Sequence, residues 1–385
     1  MSTRPAQNPE DADRAMLVET VREFVANEIR PLVADLDATE RFPDEIYRKL
    51  GSLGLLGITV PVEHHGSGGS AREYVAVMEE LAYGYASIAD QCGLVELIGC
   101  LISDFGTPAQ RDKYLPGLFA GTLRGAYALS EPSAGSDLGG IATTAARVDG
   151  GWRLNGEKIY IHNAPVSHFA LVLAVTDRSK RKRGGMSMFL VDIDETPGAS
   201  RAYHEHKMGQ RASQVGGFVF EDAVAPESAL LGEEGRGFGA VLHVLEKGRL
   251  GIGSLANGIS RAALDTATEH AKSRQQFGQR IADFQAVAFT LADMATDYQA
   301  ARLLLENGAR LVDEGGDANV ACSMAKLFAS EASIRNTNRA VQVLGGSGYI
   351  RGVEAERLYR DARITTIYEG TSEVQRIIIS RSLVG

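Results

Sequence analysis

The chain has 385 residues, 44% of them hydrophobic and 23% charged, and carries a formal net charge of -9. Its length exceeds one ordinary core, so two or three domains, or one elaborate one, are expected. The acidic balance argues against a nucleic-acid-binding surface as its main business. Three cysteines, Cys92, Cys100 and Cys322, have neither metal-ligand spacing nor an even framework, which argues against a zinc or disulfide scaffold and fits a reducing cytosol. Residues 1–15 carry Arg4, Glu10, Asp11, Asp13 and Arg14 with no apolar core between them, and the apolar stretch 92–102 is broken by Glu96. The expectation is therefore a cytoplasmic protein with no signal peptide and no membrane span.

In chain order, the first third reads as helices. Leu17, Val21, Phe24, Val25 and Leu32 recur mostly at three- and four-residue steps, Pro31 interrupts, and Phe42-Pro43-Asp44 opens another helical stretch. Arg72 to Ile102 continues the pattern, and Gly106-Thr107-Pro108 marks a stop and a new start. The character changes near residue 124. Val148 leads through Asp149-Gly150-Gly151 to Trp152, and Asn155-Gly156 carries a strong two-residue hairpin signal before Glu157 to Ile161. Phe169 to Val175, Met186 to Val191 and Gly217 to Phe220 are further strand-like runs. From Gly237 onward three long helical stretches are expected, at about 237–273, 284–314 and 317–343, with another helix from about 372. The predicted organisation is multi-domain α+β: an all-α domain at 1–123, an antiparallel β barrel or sandwich at 124–235, and a C-terminal helical bundle at 236–385.

Glu369 follows an apolar run and a tyrosine, and precedes Gly370 and a helix start at Thr371 or Ser372. Burial beside such neighbours raises a carboxylate's pKa toward the working pH, which suits a base that removes a proton from carbon. A first-turn glutamate favoured by the helix dipole is the competing reading. The pattern G-x-G-x-x-A occurs at Gly66 to Ala71, Gly235 to Ala240 and Gly251 to Ala256, none in the expected strand-turn-helix setting of a dinucleotide fingerprint. The segment Leu129 to Asp137 is rich in small and hydroxyl residues that admit an anion or a heteroaromatic edge, or simply form a turn.

Together and in order, several motifs resemble the acyl-CoA dehydrogenase family. They are Ser130-Glu131-Pro132 with Ala134-Gly135-Ser136-Asp137, Asn155-Gly156-Glu157-Lys158, Lys207-Met208-Gly209 with Arg211 and Ser213, Arg274-x-x-Phe277-Gly278, Gln342-x-x-Gly345-Gly346, Arg360-Asp361-Ala362 and Tyr368-Glu369-Gly370-Thr371. The resemblance runs from about residue 15 to the end. It implies an N-terminal α domain, a middle β domain and a C-terminal four-helix bundle, with FAD held between the last two in a homotetramer. The implied reaction removes the α proton of an acyl thioester while the β hydrogen leaves as hydride to flavin N5, a step of fatty acid metabolism.

By position, the resemblance makes Glu369 the base. Some relatives carry the base one residue before the arginine matched by Arg249, but that position here is Gly248. The resemblance further implies that Tyr127, Leu129 and Ser130 contact the flavin, and that Ser136 contacts its pyrophosphate or the thioester. Arg274, Phe277 and Gln285 would reach the FAD of a neighbouring subunit, Gln342, Gly345 and Gly346 would cradle its diphosphate and adenosine, and Thr371 and Glu373 would add contacts. Arg249, Tyr368 and Gly370 fall on the substrate side, and no metal is expected.

Two departures stand out. Tyr160-Ile161-His162 replaces the family's Trp-Ile-Thr or Trp-Ile-Ser beside the flavin, so either the His162 imidazole bonds near N5 or only its backbone does. Pro61-Val62-Glu63-His64-His65-Gly66 replaces the usual Pro-Glu-x-Tyr/Leu-Gly-Gly loop. The implied partners are an acyl-CoA or acyl-carrier thioester and an electron-transfer flavoprotein. Alternatives are a dehydrogenase of carrier-bound thioesters or an oxygen-using flavoprotein of the same fold. A nucleic-acid-associated branch is disfavoured by the acidic chain.

Overall fold

The computed structural model describes residues 9–385, so Arg4, invoked above, lies outside the described residues. The first unit consists of α1 (Pro9–Phe24), α2 (Val33–Thr39), α3 (Asp44–Ser52), α4 (Ala71–Gly84), α5 (Ala86–Phe105) and α6 (Pro108–Phe119). Between α1 and α2 the chain passes through a π turn, Val25–Ile29, and a 3-10 turn around Pro31. Proline offers no N–H for the helical ladder, which accounts for the break there. Ser70 and Thr107 start α4 and α6 with capping boxes closed by Glu73 and Gln110. Helix α5 is long and apolar enough to cross a membrane by composition, yet 94% of that window is buried inside the protein, which makes it a core helix.

The middle unit is one sheet built from β1 (Gly125–Ala128), β2 (Thr144–Val148), β3 (Gly151–His162), β4 (Phe169–Val175), β5 (Met186–Asp192), β6 (Ala199–His204), β7 (Val215–Pro226) and β8 (Leu230–Leu231). The strand order is β6-β7-β3-β2-β4-β5-β8, with β1 pairing β4. Most pairings are antiparallel, but β1 and β2 both meet β4 in parallel. Asn155-Gly156 is not a hairpin turn. The two-residue turn is Asp149-Gly150, with Val148 opposite Gly151, and β3 continues through Asn155 with a register shift against β7. The Asn155 side chain instead exchanges hydrogen bonds with Asp222 at that irregularity. A local signal for a turn has been overridden by a cross-strand bulge.

The last unit contains α7 (Gly237–Ser273), a tight hairpin of β9 (Gln275–Gln276) and β10 (Gln279–Arg280), α8 (Gln285–Asp313), α9 (Asn319–Leu344), α10 (Glu354–Ala362) and α11 (Ser372–Val384). Helix α7, 37 residues long, packs on α4 and α5 as well as on α8 and α9. It thereby joins the first unit to the bundle. One cluster of buried side chains runs from Leu101 of α5 through Phe169 and Met188 of the sheet to Leu255 of α7 and Leu358 of α10. The three units meet around a shared core, and Glu369 lies in the loop between α10 and α11.

Candidate active site

Glu369 adopts a left-handed backbone, with φ 51°, and Gly370 follows at φ 89°. The glycine takes this conformation freely, whereas a glutamate does so at a cost of about 1–3 kcal/mol and only where its surroundings enforce it. Here Lys326 of α9 donates its Nζ to the Gly370 carbonyl at 2.7 Å. Gln375 of α11 donates to the same oxygen at 2.9 Å and to the Glu369 carbonyl at 3.4 Å. Both side chains are fully buried. Thr371 is the N-cap of α11 and its hydroxyl accepts from the Val374 amide. Glu369 therefore precedes the cap. The first-turn acid favoured by the dipole is Glu373, exposed and held below the usual carboxylate range chiefly by a backbone amide.

The Glu369 carboxylate touches the backbone of α7. A Cβ placed on Gly248 would lie 2.9 Å from Glu369 Oε2 and 3.5 Å from Leu97 Cδ2. Burial pushes the Glu369 pKa up to about 6, opposed by Lys326 and Arg249 and reinforced by Asp90. Lys326 is pushed down to about 8 by the same burial, with Glu369 resisting the shift. Arg249, nearly buried, points its guanidinium at the Asn319 carbonyl and side chain and holds a charge near the carboxylate without pairing with it.

A second polar group faces this loop from α5 and β3. His162 Nε2 lies 2.9 Å from Gln91 Nε2, 2.5 Å from Ser213 Oγ and 3.3 Å from Asp90 Oδ2. Gln91 and Asn163 hold each other through paired amide bonds at 2.9 Å each. Burial lowers the His162 pKa below 6.5 against the pull of Asp90, and the Ser213 hydroxyl donates to Asp90 Oδ2 at 2.6 Å. The imidazole packs into this buried polar group through Nε2. Tyr160 sits at φ 55° beside a register shift in β3, with its side chain 67% exposed.

The segment at Leu129 and Ser130 is tied to β3. Fully buried Lys158 donates to the Leu129 carbonyl and to Glu131, at 2.9 and 2.7 Å, and Ile159 donates to the Ser130 carbonyl. Tyr127 is buried and its hydroxyl has no hydrogen-bond partner among the described residues. Tyr368 accepts a bond from Gln210, whose own amide donates to Asp361. Gly209 packs so tightly on α10 that a Cβ would lie 2.3 Å from the Arg360 carbonyl, which explains the glycine in Lys207-Met208-Gly209.

The remaining candidates are spread over the surface. Arg274, Gln285, Gln342, Ser136, Gly345 and Gly346 are exposed, and no contact in the described residues joins them to Glu369. Phe277 and Gly278 form the tip of the β9-β10 hairpin with φ 52° and 80°, and Phe277 is 95% exposed. Sequence reasoning missed Lys326, Gln375, Asp90 and Gln91. The signal for Lys326 was a lysine on the small-residue face of α9 between Cys322 and Ala329. One fingerprint reading also changes: Gly235 does follow a strand and Gly237 opens α7, but that strand, β8, is antiparallel to β5, and no parallel unit results. In the variant loop, Val62–His64 forms a single 3-10 turn and His64 Nδ1 meets Ser103 Oγ at 2.8 Å.

These residues fit a flavin dinucleotide. The Tyr127 hydroxyl lacks a protein partner among the described residues, Tyr160 is exposed two residues before His162, and Gly345 and Gly346 leave open space where a side chain would stand. A helical domain, a sheet and a helical bundle that meet around a shared core beside a buried carboxylate define a three-domain flavin-dependent oxidoreductase. Family profiles match in the same order: "Acyl-CoA dehydrogenase, N-terminal domain" at residues 11–122, the middle domain at 126–223 and the C-terminal domain at 235–384. The chain belongs to the acyl-CoA dehydrogenase family, and FAD is its cofactor. It is similar to the caffeyl-CoA reductase-Etf complex subunit CarC of Acetobacterium woodii, at 42% identity over 96% of this chain and 97% of the relative. It is also similar to the mitochondrial short-chain specific acyl-CoA dehydrogenase of Bos taurus, at 43% over 96% and 89%. The butyryl-CoA dehydrogenase of Megasphaera elsdenii superposes with TM-score 0.93 at 37% identity, covering 100% of both chains. The prolyl acyl carrier protein oxidase AnaB does so with TM-score 0.93 at 29% identity, covering 99% of this chain and 100% of the other.

Proposed function

We propose that the protein catalyses FAD-dependent α,β-dehydrogenation of an acyl-CoA to the trans-2-enoyl thioester, with Glu369 as the base that takes the α proton. The observation that carries this reading is the Glu369 carboxylate, clamped through its loop by Lys326 and Gln375 and pushed up to about 6. At that value it is ionised at neutral pH yet basic enough for carbon acid chemistry. The Glu369 amide makes no hydrogen bond among the described residues, which supports a role as donor to the thioester carbonyl. Arg249 and Lys326 keep the carboxylate ionised, Tyr368 and Gly370 wall the substrate, and FAD supplies the hydride acceptor.

The test is Glu369→Gln. The variant retains the visible spectrum of bound FAD, while its anaerobic bleaching by acyl-CoA slows at least about a hundredfold. Undiminished bleaching would remove Glu369 from the mechanism.

CarC carries an Etf complex in its name, which supports an electron-transfer flavoprotein as the acceptor here. A homotetramer is the proposed assembly, supported by the exposed Phe277, Phe289, Tyr349 and Ile350. The buried free cysteines fit a cytoplasmic location. A second reading, a carrier-protein thioester as substrate, is favoured by the likeness to AnaB. Competition between matched CoA and carrier-bound substrates separates the two, and oxygen consumption during turnover identifies an oxidase.

A further inference from the structure

The chain is acidic overall, with a formal net charge of -9, yet the turn between β4 and β5 reads Arg178-Ser179-Lys180-Arg181-Lys182-Arg183, five cations in six residues. Its backbone is tied down. Asp177 Oδ1 accepts from the Ser179 amide and hydroxyl at 2.9 and 2.6 Å, and the Gly185 amide donates to the Arg181 carbonyl at 2.6 Å. Arg181 stands at φ 45° and opens a 3-10 turn that ends at Arg183, with Gly184 following at φ 102°. A Cβ on Gly185 would lie 2.1 Å from the Asp177 carbonyl oxygen, so the two ends of the turn are pressed together.

The turn folds onto the segment that follows Ser136. Lys182 lies across Gly139, where a Cβ would meet its Cε at 2.0 Å, and its ammonium bonds Asp137 Oδ1 at 2.6 Å. That ammonium also stands 5.8 Å from the centre of the Phe238 ring, in the first turn of α7. Arg181 donates to the Gly139 carbonyl at 2.9 Å. Lys180 is answered by Asp177 and Lys182 by Asp137. Arg181 bonds no carboxylate, and Arg178 and Arg183 make no hydrogen bond or ion pair among the described residues. The acids of the neighbouring turn are engaged elsewhere, Glu233 with Arg236 and Glu234 with Arg147. Three exposed guanidinium groups therefore share one turn without a protein anion bonded to any of them. Phe238 precedes Gly248 by ten residues on α7, about 15 Å along the helix axis. An extended pantetheine arm spans that distance.

We propose that this turn receives the 3′-phosphorylated ADP of a coenzyme A thioester, with Arg178, Arg181 and Arg183 pairing with its phosphates and Lys182 fixing the turn against Gly139. The proposal rests on the reading of Glu369 as the base, since that reading sets the thioester end of the substrate beside Gly248. A guanidinium fork matches phosphate oxygens in shape and charge. The nucleotide carries most of the substrate's negative charge, and an acidic chain repels it everywhere except at a local group of cations. Such a group steers the approach of the polyanion, an effect that salt weakens. A carrier-bound thioester has one phosphate and no nucleotide, so the turn favours the coenzyme A form.

The experiment uses the FAD-loaded protein and follows anaerobic flavin bleaching by a butyryl group carried on coenzyme A, on dephospho-coenzyme A and on pantetheine. The triple variant Arg178→Gln, Arg181→Gln, Arg183→Gln removes the three cations from an exposed turn, and its melting temperature and FAD spectrum should stay those of the parent. The expected result is a kcat/KM for butyryl-CoA about tenfold lower, through KM, with butyryl-pantetheine unchanged and the dephospho form between them. Raising the salt to about 0.5 M should reproduce the loss in the parent and add little in the variant. An unchanged KM for butyryl-CoA, or an equal loss with butyryl-pantetheine, would overturn the proposal and leave Glu369 as the base. A variant that loses only a carrier-bound butyryl thioester would overturn it too, the turn then being a protein-docking surface. If no thioester bleaches the flavin, the reading of the base fails. Calorimetric binding of adenosine 3′,5′-bisphosphate to parent and variant then decides the proposal by itself, weaker binding by the variant supporting it and equal affinities overturning it.

Discussion

Gly248 of α7 leaves the space that the Glu369 carboxylate occupies, because a methyl group there would lie 2.9 Å from Oε2. The clash would fall on the flexible end of a side chain and not on backbone, so folding is spared while the base is displaced. Gly248→Ala should therefore retain FAD and melt close to the parent temperature, yet lose activity at least about tenfold, since misplacing a catalytic group by about 1 Å is expensive. Steady-state rates together with a thermal melt check this. Full activity would show that the carboxylate has room to spare.

Glu369 also sets a pH dependence of stability. Its folded pKa of about 6 stands above its ordinary 4.5, so the folded protein holds this proton more tightly than the unfolded chain. The resulting stabilisation is complete below 4.5 and disappears as pH rises through 6. Glu369→Gln removes the effect. At pH 8 the variant should be more stable than the parent by roughly 1–2 kcal/mol, and the advantage should vanish near pH 4. Urea denaturation at the two pH values measures the difference, and a variant less stable at pH 8 would contradict it.

Lys326 is the strongest of the charges that lower the Glu369 pKa. Burial already opposes its own charge, so methionine, similar in size, should be accommodated. Lys326→Met should move the acid limb of the kcat/KM profile to higher pH, with a larger loss of rate at pH 6 than at pH 8. An unmoved limb would leave Lys326 with a purely structural role.

Asp90 acts in the opposite direction on Glu369, and it supports the charged form of His162. One substitution, Asp90→Asn, should therefore shift the acid limb to lower pH and push the His162 titration further below 6.5. Kinetics reads the first effect and nitrogen NMR of the ring reads the second. The same spectra should show a neutral imidazole at pH 7. An imidazolium at that pH would refute the assignment.

The long elements were legible in the sequence because they are long: α7, α8 and α9 each carry many turns of apolar spacing, and the observed helices at 237–273, 285–313 and 319–344 lie close to the predicted runs. The start of α11 was readable from the Thr371 hydroxyl. Asn155-Gly156 misled because a side-chain bond to Asp222, 67 residues away, replaces the turn that the pair would make alone. The parallel contacts of β4 with β1 and β2 were invisible for the same reason. At the site, the position of Glu369 in the chain could be read, but its attendants could not. Lys326, Gln375, Asp90 and Gln91 come from three helices, and only folding shows that they converge.

The left-handed backbone at Glu369 bears on how the protein responds to selection. Strain and charge burial coincide at this one residue, so replacements that relax either, glycine or asparagine for the backbone and glutamine for the charge, relieve the native state. A library screened for heat resistance alone would accumulate changes at position 369 early and deliver robust, inert proteins. Heat-stable and still working variants require turnover to be screened in the same round.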